Sequence, residues 1–334
     1  MTKRDGFQVV LFLSLLLCIY LFFAYHFLSL TKKDRLAHLR PFHEFRQSAP
    51  DILILGDSHV QNAIDPSLLG SKYFSFAQGG DNIRQMLLKL DYAIREKKTI
   101  RYVVIPGDYH TFSRHRNKNR NYSRYLAYTT NYRLISNLYN ANWPAVILRI
   151  LLHGTPLSTA DDWEKYFYIL TNKRQAAAPT NANYDRLSQN EKESSSIKRV
   201  RAHLGHKIVE PELVAVLDRF IDFCEENKLK IIVIRYPFSK EYGYYAKEYP
   251  LNEVEALFRS REAHFSTLLN YENIFFEKPN LFFNEDHLND EGAKIFTRLI
   301  KADIENFISQ GANSKPVLSG DRPYPTPAAE RGLF

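Results

Sequence analysis

Two polar residues in this 334-residue sequence have the chemistry of a hydrolytic pair. Ser58 follows the apolar run ILIL at 52–55 after two residues, and His287 lies in the segment LFFNEDHLND. A serine hydroxyl is a poor nucleophile until a positioned imidazole takes its proton. We therefore consider Ser58 a candidate nucleophile and His287 its candidate general base. Taken singly, Ser58 could equally cap a helix and His287 could be structural. The choice between these roles and a catalytic one therefore depends on where the fold places the two residues.

Apolar runs alternate with helical patterns over most of the chain. The apolar runs predict five strands, at 51–56, 72–77, 101–107, 230–237 and 272–279. Apolar residues at helical spacing predict helices at 82–97, 209–227 and 290–308. Continuously apolar strands are typical of a parallel sheet that helices cover on both faces, so the predicted fold class is three-layer α/β.

The predicted sheet places both candidate residues on one rim. Ligands of an open α/β sheet bind beyond the carboxyl ends of its strands. Ser58 follows the first predicted strand, and His287 follows the fifth. Ser58 would also open a helix, and the positive partial charge at a helix N-terminus steadies a developing oxyanion. Two rim positions with complementary chemistry favour a catalytic role for the pair.

Three segments of the chain resemble a known family. LGDSHVQNAIDP, FSFAQGGDN and DHLNDEGAKIFT are similar to motifs of the SGNH (GDSL-type) hydrolase superfamily. They look most like its membrane-anchored bacterial branch, which includes the D-alanyl transfer protein of teichoic acid synthesis and exopolysaccharide acetylation proteins. The resemblance covers roughly residues 51–308, apart from 110–205. It implies an SGNH-like α/β/α domain with a five-stranded parallel sheet and serine chemistry on acyl esters.

The resemblance also implies roles for individual residues. It makes Ser58 the nucleophile and His287 the general base. Gly80, in QGGD, matches the family's second-block glycine, whose N–H joins that of Ser58 in the oxyanion hole. Gly79 is a weaker alternative for the same role.

Two positions depart from the family pattern. Where the family has a third-block asparagine for the oxyanion hole, this chain has Asp108, and a carboxylate repels an oxyanion unless it is protonated. Asn82, in a neighbouring loop, is a candidate for the missing amide. The family's triad aspartate usually lies three residues before the histidine, and here that residue is Asn284. Either Asn284 or the adjacent Asp286 could orient His287, and an asparagine would imply a slower enzyme or a dyad.

Four charged or titratable residues near the predicted rim are candidate substrate contacts. They are Asp57, His59, Asp108 and Arg235. For His59, a packing or capping role is the favoured alternative, and for Arg235 simple solvation at a strand end.

The N-terminal segment 7–30 carries no acidic or basic residue except one histidine, which predicts an uncleaved transmembrane signal anchor. The domain plan is then as follows: an N-terminal tail 1–6, the anchor 7–30, a charged neck 31–50, the SGNH-like domain 51–310 with a mainly helical insertion 110–205, and a disordered tail 311–334.

Basic residues flank the anchor on both sides, and their count favours a cytoplasmic location for the domain. The predicted chemistry and the size of the domain favour the extracytoplasmic side.

Charge and cysteine content limit the classes of binding partner that we expect. The net charge is +8, but the lysines and arginines form no concentrated stripe, so nucleic acid binding is not expected. The two cysteines, Cys18 and Cys224, offer no metal-binding spacing, and we expect neither a metal nor a cofactor. The expected partners are the bilayer, an envelope carbohydrate or acylated polymer as substrate, and a multispanning O-acyltransferase as acyl donor.

The sequence therefore predicts a membrane-anchored serine esterase or O-acyltransferase that acts on acyl esters, most simply acetyl esters, of an envelope carbohydrate. The main alternative is an SGNH-fold protein that has lost catalysis and serves as a binding or assembly partner of a membrane O-acyltransferase. A phospholipid-directed lipase is a third possibility.

Overall fold

The computed structural model describes residues 3–96, 99–117, 132–139 and 184–311. The chain divides into two units: Met1–Glu44 with Ser123–Ala178, and Phe45–Tyr122 with Pro179–Phe334. The second unit contains the sheet. Residues 118–131 and 140–183 of the predicted insertion, and the predicted tail from 312 onward, lie outside the described residues.

A five-stranded parallel sheet organises the second unit. Its strands are β1 Ile52–Ile54, β2 Tyr73–Ser75, β3 Tyr102–Pro106, β4 Lys230–Arg235 and β5 Phe265–Asn270. Their order is 2-1-3-4-5, and every neighbouring pair is parallel. Two further short strands, β6 Phe282–Asn284 and β7 His287–Leu288, form an antiparallel pair of their own. The predicted five-stranded α/β sheet is confirmed.

One predicted strand was placed wrongly. Residues 272–277 form turns, Pro279 begins a 3-10 turn, and the fifth strand is Phe265–Asn270. Phe275 is buried against Phe296, so its side chain joins the core from a turn. An apolar run without a two-residue period records burial but not backbone shape, which is why this run resembled a strand.

Nine helices occur in the described residues. They are α1 Lys3–Gln47, α2 Ser58–Ala63, α3 Ile83–Glu96, α4 Tyr132–Tyr139, α5 Gln189–Leu204, α6 Pro211–Glu226, α7 Lys240–Ala246, α8 Asn252–Arg259 and α9 Asp290–Ser309. Short 3-10 turns lie at Pro66–Leu68, Arg114–Arg116, Tyr184–Arg186, Glu262–His264 and Pro279–Leu281. The three predicted helices correspond to α3, α6 and α9 and are confirmed.

Helices cover both faces of the sheet because successive strand residues point to opposite sides. On one face, Ile52, Val104 and Ile232 share a core with Phe296 and Ile300 of α9. Helix α2 packs against α9 on the same side. On the other face α3 packs against α6, which in turn contacts β4. The carboxyl rim between these layers is where the polar residues of the candidate site emerge.

Helix α1 has the length and composition to cross a membrane. Its segment Asp5–His26 has a mean hydropathy of 2.5, and only 6% of its most apolar window is buried. The helical backbone continues through most of the neck, to Gln47. Phe45, the first residue of the second unit, is fully buried and packs on Phe74 and Phe76.

Phe296 is expected to be a major contributor to the stability of the sheet unit. It is fully buried, with ring centroids 5.7 Å from Tyr236, 5.2 Å from Tyr271 and 6.5 Å from Phe275. Phe296→Ala should lower the free energy of unfolding by about 3–5 kcal/mol, because it removes apolar contact and leaves a cavity. The measurement is urea unfolding of the full chain in detergent micelles, followed by circular dichroism.

The neighbouring residue Ile295 provides the control, since it lies on the outer side of the same helix and is 37% exposed. Ile295→Ala should change the free energy by no more than about 0.5 kcal/mol. Equal losses in the two variants would show that the core of this face is misplaced.

Candidate active site

The loops that end β1 and β3 meet where the strand order changes direction. The chain runs from β1 to β2 on one side and then crosses to β3 on the other side of β1. Ligand crevices of open α/β sheets form outside the carboxyl ends at such a point. Asp57, Ser58 and His59 follow β1 there, and Asp108 and His110 follow β3.

Ser58 opens helix α2, but it does not cap it. The cap is Asp57, whose carboxylate accepts a hydrogen bond of 2.9 Å from the His59 N–H. Gly56 lets the strand turn sharply, since a Cβ there would lie 2.0 Å from Val60 Cγ2. Ser58 is half-buried, and its hydroxyl makes no hydrogen bond to any described residue. The capping alternative is therefore excluded, and the Ser58 hydroxyl has no structural task in this part of the chain.

The second-block loop lies beside Ser58. A Cβ at Gly79 would be 3.8 Å from the Ser58 Cβ, and the Gly79 N–H donates to Gln61 Oε1 at 2.7 Å. Gly80 adopts a φ of +85°, in the left-handed region that favours glycine. The Gly79 N–H is therefore engaged by Gln61.

Asn82 does not point its amide into an oxyanion hole, and this expectation is corrected. Its side chain is buried, its Nδ2 donates to the Arg116 carbonyl at 2.8 Å, and its Oδ1 accepts from the Arg84 N–H at 2.9 Å. Asn82 therefore joins the second-block loop to the segment that follows β3.

The amide oxygen of Asn284 lies beside Nδ1 of His287. Asn284 Oδ1 accepts from two backbone N–H groups, those of Asp286 at 3.2 Å and His287 at 2.9 Å, which identifies it as the oxygen. The same oxygen lies 3.0 Å from His287 Nδ1 and favours a proton there, whereas Arg199 Nη2, 3.3 Å from that nitrogen, is itself a donor. His287 Nε2 is buried without a hydrogen-bond partner among the described residues.

Asp286 holds several elements together at the base of the site. It is almost fully buried, and its Oδ2 lies 3.0 Å from His59 Nε2 and 2.9 Å from Arg199 Nε. Its Oδ1 lies 3.1 Å from His287 Nδ1. Burial raises the pKa of Asp286, but His287 and His59 outweigh burial and hold this pKa well below its usual range. Both Asn284 and Asp286 therefore contact the nitrogen that orients His287.

His59 is an interior cation rather than a residue of the pocket mouth. Burial alone lowers the pKa of His59, but the carboxylates of Asp108 and Asp286 outweigh burial and raise it to about 10. His59 Nδ1 lies 3.2 Å from Asp108 Oδ2, and the ring centroids of His59 and His287 are 5.0 Å apart. The favoured packing interpretation of His59 therefore fits its buried position.

Three of the four predicted substrate contacts form this interior network instead, which corrects the expectation that they face a substrate. Asp57, His59 and Asp108 have 1%, 4% and 6% of their surface exposed. Asp57 Oδ2 lies 3.0 Å from both His110 Nε2 and Arg116 Nη2. Burial raises the pKa of Asp57, but Arg116 and His110 outweigh burial and hold it well below its usual range. The Asp57 carboxylate is thus committed to internal partners.

Four residues of the site were missed in the sequence: His110, Arg116, Arg199 and His203. The last two lie one helical turn apart on α5, within the predicted insertion, and so share a helix face. His203 Nδ1 lies 3.0 Å from the Tyr242 hydroxyl. Burial lowers the pKa values of His110 and His203, so both are neutral beside charged His59. The sequence feature that could have identified Arg199 and His203 is a histidine four residues after an arginine, on one face of an otherwise polar helix.

The fourth predicted substrate contact, Arg235, is also corrected. Its side chain is buried, and its guanidinium pairs with Glu255 and lies 3.6 Å from Glu272. The Tyr109 hydroxyl donates to Glu255 at 3.1 Å. Arg235 therefore has two carboxylate partners inside the fold and is neither solvated at a strand end nor open to a ligand.

Two groups of side chains could hold a metal ion. One consists of His59, His110 and His203, and the other of His59, Asp286 and His287. Within each group, one ligand atom from each residue lies within 4.8 Å of the others. The histidines are far apart in the chain, so no local spacing in the sequence signalled either group.

Two comparisons of this sequence with known proteins gave no match. No protein-family model matches the chain, and a search of curated proteins found no match either. The resemblance to SGNH hydrolases rests on the three quoted segments.

Glu272 and Glu255 share Arg235 but should give opposite pH dependence. Burial raises the pKa of Glu272 from 4.5 to about 7, so stability falls as the pH rises across that window. Glu272→Gln should flatten this fall, which is at most about 1.4 kcal/mol per pH unit. The measurement is the free energy of unfolding of the full chain between pH 4.5 and 7.

Glu255→Gln is the matched control. Burial raises the pKa of Glu255, but Arg235 outweighs burial and lowers it below the usual 4.5. Glu255 thus adds stability above that pH, which is lost as the pH falls, and its replacement should weaken the protein at pH 7. The same pH profile for both variants would contradict the assigned charges.

Proposed function

We propose that the chain is a membrane-anchored serine esterase or O-acyltransferase that acts on small acyl esters, with acetyl as the simplest case, of an envelope carbohydrate. One observation carries the proposal. His287 has its Nδ1 proton held by Asn284 and its basic Nε2 free, and it lies on β7, which packs against the helix that Ser58 opens. The three segments that resemble SGNH hydrolases add independent support.

The proposed chemistry proceeds in two acyl transfers. Ser58 Oγ attacks the acyl carbonyl carbon while its proton passes to His287 Nε2. The tetrahedral intermediate places its oxyanion against the N–H groups of Ser58 and Gly80, at the positive end of α2. As it collapses, the alcohol leaves with the proton from Nε2. Water or a sugar hydroxyl then repeats the sequence on the acyl-serine and releases the acid or a new ester.

Asn284 sets the expected strength of this base. Its amide oxygen holds the Nδ1–H of His287 but carries no negative charge to stabilise an imidazolium. Arg199 Nη2 lies 3.3 Å from the same Nδ1 and adds positive charge beside it. We therefore expect the proposed enzyme to turn over more slowly than one with an aspartate in the place of Asn284.

The apolar segment Asp5–His26 supports a place at the membrane. We propose a single-pass anchor in the cytoplasmic membrane, with the sheet unit on the extracytoplasmic side. Such an anchor would hold the active site close to a lipid-linked or surface carbohydrate. It also suits docking to a multispanning O-acyltransferase that delivers the acyl group.

One observation favours a second candidate, a binding or assembly partner without catalysis. Ser58 Oγ and His287 Nε2 share no hydrogen bond among the described residues. Catalytic hydrogen bonds are often long in the absence of substrate and tighten only in the complex, so the enzymatic proposal stands ahead of this one. The two proposals differ in whether Ser58 reacts.

Ser58→Ala should abolish labelling by a fluorophosphonate probe and hydrolysis of a chromogenic acetyl ester, because it removes the proposed nucleophile. Both assays use the full chain in detergent micelles. Ser67→Ala, at an exposed serine shortly after α2, is the matched control and should label as the unchanged protein does. Undiminished labelling of Ser58→Ala would refute the nucleophile.

Asn284→Asp should raise kcat for the acetyl ester by about tenfold or more, since an anionic acceptor stabilises the imidazolium that forms in the transition state. The substitution keeps the oxygen that accepts from the two backbone N–H groups. Asn289→Asp, at the cap of α9, controls for a change in charge nearby. No change in kcat for Asn284→Asp would show that His287 is not the base.

A further inference from the structure

We propose that His59, His110 and His203 form a binding site for a divalent transition-metal ion, most simply Zn²⁺, beside the candidate active site. This proposal does not depend on the chemistry of Ser58. Each of the three buried residues offers a ring nitrogen, and the three nitrogens lie within 4.8 Å of one another. Neutral imidazole nitrogens are preferred ligands of Zn²⁺, so binding of the ion would displace the extra proton that His59 carries without it.

Each of the three rings has one nitrogen held by another polar group. His59 Nε2 lies 3.0 Å from Asp286 Oδ2, and His110 Nε2 lies 3.0 Å from Asp57 Oδ2. Metal-binding histidines nearly always donate their second N–H to a carboxylate, carbonyl or water, which fixes the ring and its tautomer. The cluster therefore has the outer shell that a histidine metal site requires.

His203 follows the same pattern. Its Nδ1 lies 3.0 Å from the Tyr242 hydroxyl and 3.7 Å from Asp286 Oδ2. The nearby carboxylate favours a proton on Nδ1, which leaves Nε2 as the ligand atom. The hydrogen bonds of the three rings thus leave Nδ1 of His59, Nδ1 of His110 and Nε2 of His203 as the nitrogens available to an ion. None of these three atoms makes a hydrogen bond to a described residue.

Asp108 is the candidate fourth ligand. Its Oδ1 accepts the Tyr236 N–H at 2.8 Å, which fixes the carboxylate. Its Oδ2 lies 3.2 Å from His59 Nδ1, yet both atoms are buried and lack a hydrogen bond within the described chain. An ion that replaced the proton between these two atoms would bind to both.

The dimensions suit a small ion after a modest rearrangement of the rings. The ring centroids lie 4.2 Å apart for His59 and His110, 4.8 Å for His110 and His203, and 6.1 Å for His59 and His203. Rings on one tetrahedral Zn²⁺ would have centroids about 5 Å apart and ligand nitrogens about 3.4 Å apart, given Zn–N bonds of 2.0–2.1 Å. On binding an ion, His59 and His203 would therefore approach each other, and His59 and His110 would move slightly apart.

The second group, His59 with Asp286 and His287, is less suitable. The guanidinium of Arg199 lies 2.9 Å from Asp286 and 3.3 Å from His287 Nδ1, so a positive charge already occupies that side. Asn284 also holds the Nδ1 proton of His287. We therefore assign the ion to the three-histidine group.

The test is a Zn²⁺ titration of the full chain without a histidine tag, in detergent micelles, after removal of metals with EDTA. Calorimetry should show one ion per chain. His110→Gln and His203→Gln should each weaken binding by more than the roughly 10- to 100-fold that loss of an outer-shell partner costs, and Tyr242→Phe should fall within that range. His264→Gln, at an exposed histidine paired with Glu225, is the matched control and should bind as the unchanged chain does.

Spectroscopic measurements distinguish loss of a metal ligand from loss of folding in the variants. Co²⁺ bound in the site should give the intense visible absorption of a tetrahedral complex, and circular dichroism should confirm that each variant is folded. His287→Gln should retain the ion. The proposal is overturned if the unchanged chain binds no stoichiometric ion, if folded His110→Gln and His203→Gln bind it normally, or if His287→Gln alone abolishes binding.

Discussion

The contact between Asp286 and His59 is the constraint on which the candidate site depends. It joins the residue before the proposed base to the residue after the proposed nucleophile, across more than two hundred residues of chain. Both groups are almost fully buried, and a buried charge is tolerated only when it is paired. Because this buried pair joins the loop after β1 to the β6–β7 turn, Ser58 and His287 are held at the same end of the sheet unit.

The same network explains why the site brings in residues from distant elements. Asp108 from the end of β3 meets His59, and Arg199 from α5 meets Asp286. His203, one turn further along α5, packs its ring against that of His110. The described end of the predicted insertion therefore forms one wall of the site and is not a solvated decoration.

The sequence predicted the sheet well because burial on both faces leaves a strong local signal. Four strands and three helices were placed within a few residues, and Ser58 was correctly put after the first strand. The fifth strand was misplaced because apolar side chains in the turn at 272–279 give the same signal as a strand. The partners of His59 could not be predicted, since the pairing of Asp286, Asp108 and His59 depends on how distant loops meet.

The candidate site, like the fold, could be predicted from the sequence only in part. Asn284 and Asp286 were both named as partners of His287, and the structure shows contacts with both. Asn82 was expected in the oxyanion hole and Arg235 against a substrate, but each side chain is buried and bonded to partners inside the fold. Position along a strand tells which rim a residue occupies, whereas its partners decide whether it stays free to act.

The most direct test of the central claim is the rate at which a fluorophosphonate modifies Ser58 when His287 is changed. If His287 Nε2 takes the serine proton, the second-order rate constant of His287→Ala should fall by about 100-fold or more, with an unchanged circular dichroism spectrum. Equal rate constants for the two folded proteins would contradict the account, because Ser58 would then react without the proposed base.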